Sequence, residues 1–98
     1  MNERILNILL EVLKDLNEEL EKPALENPTP QMYLYAPKGC LDSLALVRLI
    51  ADVEERVFEV FGKSIILADE RAMSQKMSPF RRLETLVNYI ETLLEEPL

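Results

Sequence analysis

Asp42-Ser43-Leu44 is the stretch of this chain in which side chains of the right types for chemistry fall closest together, a hydroxyl with a carboxylate beside it and a thiol, Cys40, three residues before. A serine acts as a nucleophile in its own protein when a base takes its proton, and that base is most often imidazole. The 98 residues contain no histidine. Ser-His and Cys-His pairs are thereby excluded, along with most zinc sites. Asp42 or Ser43 can instead cap a helix, a side-chain oxygen accepting a first-turn amide, worth about 1 kcal/mol. Cys40, with Lys38 as its basic neighbour, reads as an inert loop thiol. No segment carries the oxygen ligands and central glycine of a calcium loop, or the glycine-rich turn with lysine that holds nucleotide phosphates. The adjacent carboxylates Glu18-Glu19 and Glu54-Glu55 read as solvated helix surface. Met73 and Met77 read as gap-fillers, and Tyr89 as a packing residue that could instead line a pocket between helices.

The elements that must position Ser43 follow from the spacing of apolar residues. Two glycines, six prolines and few β-branched runs argue against a sheet. A first helix is predicted over about 2–21, with Ile5, Leu9, Val12, Leu13, Leu16 and Leu20 on one face. Pro23 ends it, and Pro28, Pro30 and Pro37 keep 22–41 a loop, because each fixes φ and removes an amide donor. A loop of that length must be tied down, and Tyr33, Leu34 and Tyr35 are the residues that can pin it; as a strand these three have no evident partner. A second helix is predicted over about 42–61, burying Leu46, Leu49, Ile50, Val53, Val57, Val60 and Phe61. Gly62 closes it in the left-handed conformation, and Ile65, Ile66 and Leu67 follow as an apolar connector. A short third helix is expected over about 69–74. A fourth is expected over about 78–95, with Ser78 as cap, Pro79 in the first turn, and Leu83, Leu86, Val87, Ile90, Leu93 and Leu94 buried. The expected fold is all-α, a small four-helix bundle forming one domain over 1–98.

Composition narrows the function classes. Eighteen acidic against eleven basic side chains give a formal charge of −7, which repels nucleic acid and anionic membrane surfaces and favours basic proteins. With 48% apolar and 30% charged residues, the chain has the means for a core, within a radius of gyration of about 13 Å. No apolar run approaches the roughly 20 residues of a membrane span, so no membrane insertion is expected. A single cysteine and no signal-peptide pattern make the cytoplasm the expected compartment, and a monomer is the expected state.

Asp42-Ser43-Leu44, then Val47, then Leu49-Ile50-Ala51-Asp52-Val53-Glu54-Glu55, resembles the Asp-Ser-Leu signature and following helix of the acyl carrier protein family, and the likeness extends to the plan of the whole chain. The resemblance implies a non-enzymatic carrier. Ser43 would be esterified by 4′-phosphopantetheine, taken from coenzyme A by a phosphopantetheinyl transferase, and the arm's thiol would carry acyl or aminoacyl groups as thioesters. Asp42 matches the aspartate that helps the transferase place its metal and coenzyme A. Leu44, Val47, Ala51, Glu54 and Glu55 match the positions on which partner enzymes dock, and Arg48, Asp52 and Glu59 extend that face. Loading ligases or synthases of fatty-acid-like or specialised biosynthesis are the implied partners. Arg48 and Ala45 stand where fatty-acid carriers usually have acidic residues, and with the long first loop this is similar to discrete bacterial carriers outside core fatty-acid synthesis. The rival reading is a non-enzymatic acidic helical adaptor for a basic protein, with Asp42-Ser43 only a cap.

Overall fold

Asn2 opens the first helix by accepting the amides of Arg4 and Ile5 at 3.0 and 3.2 Å on its Oδ1, the local satisfaction that exposed first-turn donors need. A computed structural model describes residues 2–35, 39, 41–67 and 80–95. Helix α1 spans Glu3–Leu20 and buries Ile5, Ile8, Leu9, Val12, Leu13 and Leu16; Leu20 is only partly covered. Glu21 takes the left-handed conformation (φ 52°) and donates its amide to the Asn17 carbonyl. The Asn17 side chain accepts the next amide, from Lys22, at 2.7 Å. The helix therefore has a built stop before Pro23.

Residues 22–41 are less featureless than expected. Pro23–Leu25 form a 3-10 turn whose Leu25 is buried in the core. Further on, Leu34 is fully buried, and an isolated antiparallel bridge joins Tyr33 to Arg82. The partner that the Tyr33-Leu34-Tyr35 alternation lacks in sequence is thus the segment leading into the last helix.

Helix α2 spans Ser43–Phe61 with Asp42 at the N-cap, its Oδ1 accepting the Ala45 amide at 2.8 Å. Gly62 closes it at φ 70°, donating its amide to the Phe58 carbonyl, a backbone shape that costs little without a side chain. The buried face is Ala45, Leu46, Leu49, Ile50, Val53 and Val57. Val60 and Phe61 depart from the expected inward set: Val60 is exposed, and Phe61 is half-buried with the Arg4 guanidinium 4.6 Å from its ring. Of the connector, Leu67 is buried and Ile66 exposed.

Helix α3 spans Leu83–Glu95 and so begins later than the expected 78. The reason is tertiary. The main chain at 80–82 pairs with the loop, Leu34 N donating to Arg81 O at 2.8 Å and Tyr35 N to Phe80 O at 3.1 Å. Arg82 takes the capping position, its carbonyl accepting the Leu86 amide and its own amide donating to Thr85 Oγ1. Leu83, Leu86, Val87 and Ile90 are buried as expected, whereas Leu93 and Leu94 are partly covered. The expected short helix at 69–74, Met73, Met77 and the Ser78-Pro79 start lie outside the described residues, as do Cys40 and Lys38.

Helix α1 is the common support, packing against both α2 and α3. Among the described residues no α-carbon of α2 lies within 8 Å of one in α3. The resulting bundle is small and all-helical, with a radius of gyration of 12.6 Å, and no strand occurs among the described residues. None of the described helices is long and apolar enough to cross a membrane.

Candidate functional site at the start of helix α2

Ser43 is the first residue of α2, placed there by the exposed Asp42 cap and by Leu41, which is buried and donates its amide to Leu34 O at 3.0 Å. Local chemistry and tertiary contact thus both bear on this helix start. From it, the eight docking candidates separate by helical register into two stripes.

The first stripe is apolar. Leu44, 73% exposed, is followed at helical spacing by exposed Val47, Ala51 and Phe58. Exposed large apolar residues in a row, unlike isolated ones, mark a surface available to a partner. Phe58 was not among the sequence candidates, although its spacing of seven from Ala51 is the signal that places it on this stripe. Glu54 lies between them but is half-buried and accepts the Leu67 amide on its Oε2 at 2.8 Å. Its carboxylate holds the connector against the helix.

The second stripe is charged and turns toward α1. Arg48 pairs with Glu19, and Arg56 reaches Glu11 at 2.9 Å and Asp15 at 2.7 Å. The hydrogen bond and charge of Arg48 hold the Glu19 carboxyl below its ordinary range. Asp52, Glu55 and Glu59, with Arg56, Asp15 and Val12, line an open groove of about 240 Å³. No cluster of side chains suited to a metal ion occurs among the described residues. Ala45, which stands where the resembling carriers often have an acidic residue, is buried and so takes no part in either stripe.

The arrangement places Ser43 at a helix start, with an apolar stripe and a charged stripe running away from it. It offers no histidine base. No protein-family model, curated protein or solved structure matches the chain.

Proposed function

We propose that the protein is an acyl carrier: a transferase joins 4′-phosphopantetheine to the Ser43 oxygen, and the arm's thiol then presents acyl or aminoacyl thioesters to partner enzymes. The observation that carries this reading is the position of Ser43, first in α2 directly after the exposed Asp42 and followed by exposed Leu44 and Val47. In the modification the serine oxygen bonds to the phosphorus of the pantetheine phosphate in coenzyme A. The serine proton passes to the transferase, and adenosine 3′,5′-bisphosphate leaves. A phosphodiester added at a helix N-terminus meets the positive end of the helix dipole, which favours negative charge by roughly 0.3–1 kcal/mol. Asp42 would serve the transferase's metal and coenzyme A, and a short helix over about 69–74 would complete a bundle of four. The acidic surface suits fast, short-lived encounters with basic enzymes.

Intact-mass analysis after incubation with coenzyme A and a broad-specificity phosphopantetheinyl transferase tests the proposal. One arm's mass is expected on the wild type and none on Ser43→Ala. An unmodified wild type, or a modified Ser43→Ala, sinks it. Because Asp42 rather than Ser43 supplies the cap, Ser43→Ala should keep its helical circular dichroism and lie within about 0.5 kcal/mol of wild-type stability.

The apolar and acidic stripes of α2 also suit a non-enzymatic adaptor that binds a basic protein. That reading leaves Ser43 idle, and partner binding would then be indifferent to the arm.

A further inference from the structure

Among the described residues, Leu34 is the one whose main chain reaches toward the starts of both α2 and α3: its amide donates to Arg81 O at 2.8 Å and its carbonyl accepts the Leu41 amide at 3.0 Å. Leu41 immediately precedes the Asp42 cap, and Arg81 immediately precedes the capping residue of α3. The segment on which Leu34 lies is held along its length. Met32 O accepts the Leu83 amide at 3.1 Å, Pro30 O accepts that of Glu84 at 2.8 Å, and Tyr35 N donates to Phe80 O. Side-chain contacts add to this strap from outside the core, the Arg82 guanidinium donating from Nη2 to the Tyr33 hydroxyl at 2.7 Å with its carbon 4.6 Å from the ring centroid. Arg81 approaches the same ring at 5.7 Å.

We infer that Tyr33 and Arg82 are positioning residues for Ser43: their contact keeps the strap seated, and the strap fixes where α2 begins relative to α3. The inference rests on the carrier reading for its consequence and on main-chain geometry for its mechanism. The turn at Asp42 forms locally, through the Ala45 amide, so releasing the strap leaves helix α2 intact and frees its entry point. A transferase that recognises the hydroxyl together with the stripe beyond it would meet the site in a spread of orientations. Such a loss weakens recognition and leaves the chemical step alone.

The test uses Tyr33→Phe, which removes the hydroxyl and keeps the ring, and Tyr33→Ala, which removes both. In amide hydrogen exchange on the unmodified chain, protection at Leu41 should fall together with that at Leu34 and Tyr35, roughly five-fold in Tyr33→Phe and further in Tyr33→Ala, a size appropriate to one lost hydrogen bond. Ala45 and the α1 amides of Val12 and Leu13 should be unchanged. With the transferase, KM for the protein should rise by a similar factor at constant kcat. Wild-type exchange at Leu41 in both variants overturns the inference. So does an equal loss at Val12 and Leu13, which would mean general destabilisation, or a fall in kcat at constant KM. A wild type that accepts no arm removes the carrier reading and with it the role toward Ser43, and the exchange data then show whether the strap joins the two helix starts.

Discussion

At the start of α2 the Ala45 amide finds its acceptor three residues away, in the Asp42 carboxylate, whereas at the start of α3 the Leu83 and Glu84 amides reach across the fold to the carbonyls of Met32 and Pro30. Both helices meet the same demand, that first-turn donors be satisfied. One meets it with a neighbour and the other with a distant loop. A local cap survives as long as its own turn does. A remote one exists only while the loop is docked, so the two helix starts should respond differently to the same injury.

Leu34→Ala strikes hardest at this contrast. It removes a fully buried side chain and should cost about 2–5 kcal/mol in a urea titration. In native-state exchange, the Leu83 and Glu84 amides should lose protection well before Ala45; equal loss at all three would erase the distinction between the caps. Asp42→Ala injures the other start and should cost about 1 kcal/mol, while Asp42→Asn, which can still accept the Ala45 amide, should cost little. Comparing the two variants in the transferase reaction separates capping from charge: a slow Asp42→Asn of normal stability assigns the carboxylate to recognition or metal placement. The smallest effect belongs to Glu19→Gln, which breaks the exposed pair with Arg48. Glu19 titrates below its ordinary value of 4.5 in the folded chain. Its contribution is therefore present above that value and is lost as pH falls through the lower, folded one. Thermal melts of wild type and variant should converge at acid pH, and also in molar salt.

The same contrast explains what could be read in the residues. Asn2, Asp42 and Gly62 act on their own turns, so the bounds of α1 and α2 follow from the chain within a residue or two. The start of α3 does not, because the helix begins only after the main chain at 80–82 has paired with the loop across the fold. The tie through Leu34 was foreseeable only as apolar surface in a long loop. At the candidate site, helical spacing correctly puts Leu44, Val47 and Ala51 on the outside. Ala45, noted only because the resembling family often has an acidic residue there, lies 100° from Leu44 on an ideal helix and is buried. Helical spacing does not reveal that Glu54 is engaged by Leu67 while Glu55 next to it faces the groove. Register orders the residues around a helix, but which edge the neighbouring segments cover is decided by tertiary packing.

Lys63, just beyond α2, donates from Nζ to the carbonyl of Leu94 near the end of α3 at 2.7 Å. The two helices are thus tied near both extremities, by Leu34 at their starts and by this ammonium at their ends, and between these ties runs a seam across which, among the described residues, no α-carbons approach within 8 Å. Widening that seam at its waist would rearrange side chains without breaking either fastening.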